Sequence, residues 1–324
     1  MISSMQPNIL PLYLALLLAS LLTQTLSAQT PATVVEDATR IRAMAKAAPK
    51  LPLELTLLKV TPELELGYVS SAAVDSQGNF YLLQREPKTD AILVIDPTGK
   101  LLRSWGKGLF TIPHSIRLDP AGNVWTTDAN TSMVYKFAPD GRKLLEIKVG
   151  GQPSTTTSEF RGTTDMGFAS NGHVYISDGY GNARILEYDK RGKKIREWGR
   201  PGNQSGEFRL PHGIAVHPNG NVYVADREND RVQWFTPKGK YLGEWKFAGR
   251  VFSLAFSKKG ELYVSAQPRD VAIGSEGWIF KVNDRDGSIL GRVDGAGHSI
   301  NIAPDGSILI GKRPDQILLF SPVK

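Results

Sequence analysis

Cysteine is absent from the 324-residue chain, and histidine occurs only five times. The first absence excludes a disulfide framework, a zinc–thiolate site, an iron–sulfur cluster and a cysteine nucleophile. Any metal must therefore be held by imidazoles or oxygen ligands. Helical periodicity is missing too. No segment after residue 50 keeps an apolar helical pattern for more than a turn or two, which rules out a two-domain αβ enzyme. Nor is there a long block of like charge. The net charge of +7 is spread along the chain, so no nucleic-acid partner is expected, and the pull toward anionic partners is weak. What the chain does have is 32 glycines and 20 prolines, dispersed in a way that predicts many turns.

Residues 1–28 carry no charged side chain, and residues 9–22 (ILPLYLALLLASLL) are apolar except for Ser20. That run is shorter than the twenty or so residues a membrane helix needs. With a small-residue exit at Ser27-Ala28 it reads as a signal peptide cut after Ala28, giving a secreted or periplasmic protein; a retained membrane anchor is the other reading. Residues 29–50 are expected to form a linker or short helix without chemistry. Residues 51–324 are expected to form one domain.

Six copies of one pattern organise that domain. GNFYLLQ, GNVWTTD, GHVYISD, GNVYVAD, GELYVSA and GSILIGK start at Gly78, Gly122, Gly172, Gly220, Gly260 and Gly306, with spacings of 44, 50, 48, 40 and 46 residues. Each copy follows a short apolar strand and a turn, and the first five precede two more strand-like pieces. Four short alternating strands per unit of this size make a propeller blade. The fold class is thus all-β, a six-bladed β-propeller. The last unit stops after its third strand. Residues 54–60 (ELTLLKV), ahead of the first unit, are expected to supply its outer strand and close the ring.

Eight residues before each glycine, at the start of the innermost strand, stand Ser70, His114, Thr164, His212, Phe252 and His298. Histidine occupies the second, fourth and sixth blades, which a six-fold ring relates by about 120°. Any one of these histidines alone would read as a turn or packing residue. Three in one register and in strict alternation predict a trigonal set around the axis, with a fourth tetrahedral position open, as in a catalytic zinc site. His173 and His217 fall in turns, and both are expected to face solvent.

The loops after the second strands should lie on the histidine face. Seven residues after each glycine stand Arg85, Ala129, Gly179, Arg227, Gln267 and Arg313, with Tyr180 one further on in the third blade. Arginines around a cation site would be costly as core and suit an anion, most simply a carboxylate. Arg313, in GKRPD, reads equally as a solvated residue. Tyr180 is either a surface loop residue or an acid/base group or nucleophile whose pKa a metal and nearby arginines would lower. Asp128, Asp178 and Asp226 are expected to bond loop amides.

FTIPHSIRLDPAGNVWTTDANTSMVYKF, VYISDGYGNARILEYDKRGKKIREWG and FRLPHGIAVHPNGNVYVADRENDRVQWF resemble NHL-repeat propellers. Among these the chain resembles the peptidyl-α-hydroxyglycine α-amidating lyases, through PHS, PHG and GHS in alternate blades, SDGYGNAR in the third and VADREN in the fourth. The resemblance covers about residues 65–324. It implies a zinc ion, or another divalent transition metal, on His114, His212 and His298. It implies Tyr180 as the catalytic tyrosine, with Arg85 and Arg227 as active-site arginines. The implied reaction cleaves the C–N bond of a C-terminal α-hydroxyglycine, releasing a peptide amide and glyoxylate. The implied substrate is a peptide or small N-acyl α-hydroxyglycine, supplied by a separate monooxygenase because the chain has no room for that domain, and a monomer is expected.

The chain also departs from the family. The family's structural calcium is held by two carbonyls, matching Ala72 and Ile116, and by a carboxylate whose place Ser299 takes. A hydroxyl is a much poorer ligand for a hard cation, which weighs against calcium. Ala296 stands where the family has methionine, and Gly181 follows the tyrosine where animal members have a disulfide cysteine. Two other classes stay open: a metal-free NHL scaffold binding peptide or glycan, and a lactonase-like metal-dependent hydrolase.

Overall fold

The structure is a computed structural model and describes residues 31–61, 64, 66–150, 159–312 and 316–323. The predicted leader and Arg313 lie outside the described residues. Each blade is a four-stranded antiparallel sheet. The six innermost strands are Val69–Val74, Pro113–Leu118, Asp165–Phe168, Pro211–Val216, Arg250–Phe256 and Ile300–Ile302. Each packs against the next in order, and the last packs against the first, so the strands surround one axis. Every inner strand turns into the second strand at the repeat's glycine, where φ lies between 79° and 91°. Only glycine reaches that left-handed region without strain, which is why it recurs at this position.

The second strands, such as Val124–Asp128 and Val222–Asp226, are buried at every position. Neighbouring blades cover both of their faces, so period-2 alternation gives way to continuous burial. Alternation survives in outer strands such as Leu101–Trp105 and Lys194–Trp198. The outer strand of the sixth blade is Leu53–Leu57, antiparallel to Gln316–Pro322, with Leu53 opposite Pro322 and Leu57 opposite Leu318. First and last segments of the propeller thus share one sheet.

Helix α1 (Pro31–Ala47) precedes the blades. It buries Ile41 and Ala45 in the apolar cluster shared by blades 4 and 5. Arg42 anchors it, reaching Asp270 at 2.7 Å and Glu276 at 2.6 Å. Among the described residues, no helix is long and apolar enough to cross a membrane.

Tryptophans at the ends of outer strands lie over the outermost turn of the following blade. Trp105 covers Gly141, Trp198 covers Gly239 and Trp245 covers Gly287. A Cβ on Gly239 would stand 2.8 Å from the Trp198 ring, on a backbone with φ of +81°. Gly239→Ala therefore adds both a steric clash and left-handed strain, about 2 kcal/mol together. Thermal denaturation should show Tm lowered by roughly 5 °C.

Candidate metal centre

His114, His212 and His298 converge at the axis. One ligand nitrogen from each lies within 4.8 Å of the others, and the ring centroids are 4.6 to 5.0 Å apart. His114 and His212 are the second residues of their inner strands, and His298 lies two residues ahead of the inner strand of blade 6, so blade repetition itself sets their spacing. His114 and His212 are each 2% exposed.

Main-chain carbonyls of neighbouring blades fix two of the tautomers. His114 Nδ1 lies 2.6 Å from Thr164 O, and His212 Nδ1 lies 2.7 Å from Phe252 O. A carbonyl can only accept, so each Nδ1 carries the proton and each Nε2 lone pair faces inward. Burial, with Arg85 and Arg227 nearby, pushes the His114 imidazole down to about 3. Burial, the other two imidazoles and Arg227 hold His212 well below its ordinary value. Both rings are thus neutral near pH 7, the form that binds a metal.

The Tyr180 hydroxyl lies 3.1 Å from His114 Nε2 and 3.1 Å from His212 Nε2. One phenolic proton cannot serve two inward acceptors at once, which leaves a lone pair unanswered. A small cavity of about 10 Å³ borders all three imidazoles, suited to an ion or a single water rather than an organic ligand. Neutral imidazoles with inward lone pairs, carbonyl-fixed orientation and ion-sized space fit a divalent transition metal.

Two flanking glycines hold Tyr180. A Cβ on Gly179 would lie 2.0 Å from Pro211 O, and one on Gly181 would fall on Arg161 O. The loop therefore presses against the residue preceding His212 on one side and against the Arg161 segment on the other. Burial raises the phenol's pKa, while the charges of Arg227 and Arg85 act to lower it. In the protein alone burial outweighs the two arginines, which act in the direction expected from the sequence. The metal, whose charge would pull the pKa down, is the part of that expectation lying outside the protein.

Arg85 donates from Nε to Pro113 O at 3.0 Å, beside His114. Its guanidinium lies over Tyr68 at 4.9 Å and Phe160 at 5.4 Å. Arg227 lies over Phe252 at 5.2 Å and Tyr180 at 5.8 Å, and its Nε donates to Glu228 Oε1 at 2.8 Å. Glu228 also pairs with Arg269 and Arg250. Although burial pushes the Glu228 carboxyl up, these three arginines hold it down at about 2.

Sequence reasoning missed Tyr68, Phe160 and Glu228. Phe160 sits in an irregular segment that no repeat register indexes, and Tyr68 sits two residues before the register position, where the blades share no residue type. Glu228 lay in plain view next to Arg227, and the signal was the alternating charge of ADREND. Asp128 bonds the amides of Thr111, Ile112, Asn130 and Thr131. Asp178 instead binds the side chains of Asn182 and Arg184, and Asp226 takes the Arg209 amide together with Asn229 and Arg231. His173 and His217 are half-buried rather than solvent-facing. His173 pairs with Glu187 at 2.7 Å, and His217 packs edge-on against Phe256 and lies 3.4 Å from Asp284.

The calcium position behaves differently from the histidine position. The Asn301 amide donates to Ala72 O at 2.6 Å and to Ile116 O at 3.4 Å, and Ser299 Oγ bonds Ser71 Oγ. Two carbonyls engaged by an amide, with a hydroxyl in place of a carboxylate, do not fit a calcium ion.

Comparison with known proteins adds a family context. Residues 208–235 match the family described as NHL repeat. A Caenorhabditis elegans protein named "Probable peptidyl-alpha-hydroxyglycine alpha-amidating lyase pgal-1" is 28% identical over 296 residues, 79% of this chain and 83% of the relative. The Xenopus laevis "Peptidyl-glycine alpha-amidating monooxygenase A" is 30% identical over 302 residues, 81% of this chain but only 32% of the relative. The chain is a six-bladed propeller homologous to amidating lyases. It spans about a third of the frog relative's length and most of the worm relative's. Among solved structures, virginiamycin B lyase from Staphylococcus aureus shares this propeller's fold, with a TM-score of 0.57 and 14% identity over 84% of this chain and 100% of that one.

Purified propeller should carry about one equivalent of divalent transition metal per chain. His212→Ala should reduce that content at least tenfold while the circular dichroism spectrum is kept, as read by elemental analysis.

Proposed function

We propose that the protein is a metal-dependent lyase that cleaves the C–N bond of C-terminal α-hydroxyglycine, giving an amide and glyoxylate. The observation that carries this reading is the Tyr180 hydroxyl set between two inward-facing imidazole nitrogens, with Arg85 and Arg227 close enough to act on its charge. The relatives named as α-amidating lyases give the reaction class.

A divalent cation on His114, His212 and His298 supplies Lewis acidity that makes a substrate hydroxyl easier to deprotonate. Tyr180, as the phenolate, accepts the α-hydroxyl proton at its Oη. The α-carbon oxygen then forms the aldehyde carbonyl, the C–N bond breaks, and the electron pair leaves with the amide nitrogen. That nitrogen takes the proton back, so peptide amide and glyoxylate balance the substrate without added water. Arg227 and Arg85 hold the glycine carboxylate and stabilise the phenolate by charge. Glu228 occupies Arg227 Nε, so the substrate carboxylate would meet the terminal nitrogens of that guanidinium, beside Tyr180.

The remainder of the peptide extends away from the axis, so selectivity for the preceding residues is loose. A hydroxylating monooxygenase activity supplies the substrate, and the protein acts outside the cytoplasm as a monomer.

Incubation with an N-acyl α-hydroxyglycine should release glyoxylate in step with metal content. Tyr180→Phe should lower kcat by about 10²–10³-fold with metal content unchanged. Full activity in that variant, or no glyoxylate from metal-replete protein, would overturn the reading.

A further inference from the structure

Next to the histidines along the axis lies a second buried polar layer, and it contains a cation of the protein's own. Arg117, on the inner strand of blade 2, is 7% exposed, and Asp165, on blade 3, is 4% exposed. The two make a forked pair, Nε to Oδ1 at 3.0 Å and a terminal nitrogen to Oδ2 at 2.5 Å. The other terminal nitrogen donates to Ile300 O at 2.6 Å and to Asn301 Oδ1 at 2.8 Å, both on blade 6. Asn301 then turns its amide nitrogen onto Ala72 O of blade 1 and Ile116 O of blade 2. Asp165 accepts from Ser115 Oγ at 2.6 Å, and the Ile214 amide of blade 4 approaches it at 3.4 Å. One guanidinium thus lies at the centre of a network reaching five of the six blades.

We propose that Arg117 is an internal cation that takes the place of a bound calcium ion at the propeller axis. Oxygens of several blades must be gathered at the axis, and their negative ends need a positive partner. Calcium would supply it through six to eight oxygen ligands, including carboxylates. Here Asp165 is already neutralised in a bidentate pair, the carbonyls of Ala72 and Ile116 already have a donor, and position 299 offers only a hydroxyl. A divalent ion entering this layer would also meet the buried guanidinium at close range. Closure of the ring is therefore independent of calcium, and the charge that holds it cannot be chelated.

The test is thermal denaturation of the whole protein at a fixed zinc concentration, with calcium chloride raised from zero to about 10 mM, above the range of weak extracellular calcium modules. Wild-type Tm should move by less than about 1 °C, because a ligand that binds only the folded state would raise it by several degrees. Arg117→Met, which leaves Asp165 buried without its partner, should lower Tm by about 10 °C. Failure of that variant to fold counts in the same direction. Arg117→Lys, which keeps the charge and loses the fork, then supplies a measurable smaller drop. A calcium-dependent rise of several degrees in the wild type, one calcium per chain in the purified protein, or an unchanged Tm in Arg117→Met would each overturn the proposal. None of these outcomes bears on the lyase reading, which is tested by glyoxylate release.

Discussion

The contact on which the rest depends is an imidazole proton given to the next blade's main chain. His114 donates to Thr164 O and His212 to Phe252 O, and Thr164 and Phe252 occupy the same register one blade further round. Blades 3 and 5 therefore orient the histidine side chains of blades 2 and 4. The direction of each inward lone pair depends on how adjacent inner strands are packed, so ring closure and ligand geometry are one property. Such carbonyl partners to metal-binding histidines commonly govern both affinity and orientation.

Around these imidazoles the protein concentrates positive charge, and it pairs that charge within the fold. Arg227 shares Glu228 with Arg250 and Arg269, and Arg269 also reaches Asp230 at 2.6 Å. Deeper along the axis, Arg117 is matched by Asp165. Buried guanidiniums unmatched in this way would cost several kcal/mol each. On the face above the histidines, aromatic rings do similar work. Tyr68, Phe160, Phe252 and Tyr180 all lie under a guanidinium, offering weak cation–π attraction.

Much of this was legible because repetition converts sequence offset into angle. One count back from each glycine located three imidazoles, and one count forward located Arg85, Arg227 and the loop of Tyr180. What repetition does not encode was not legible. Phe160 comes from a segment of irregular length, so no offset points to it, and the position of Tyr68, two before the histidine register, carries no common residue type from blade to blade. His173 and His217 looked solvent-facing because their partners lie elsewhere, Glu187 on the third strand of the same blade and Asp284 in the outer turn of the next. The engagement of Ala72 O and Ile116 O by Asn301 was equally hidden. Carbonyls have no sequence signature, and the residue that engages them lies on the far side of the ring closure. The docking of α1 through Arg42 likewise joins residues more than two hundred positions apart.

The tryptophans laid over neighbouring turns have a consequence of their own. Trp105, Trp198 and Trp245 each belong to one blade and rest on the next, and Trp245 is stacked on Trp234 with centroids 4.0 Å apart. Parting any of those blades would expose an indole to water, while the Trp234–Trp245 pair, within one blade, would stay stacked. The molecule therefore carries an optical gauge of its own seams, in which the colour of emitted light tells whether the seams are closed.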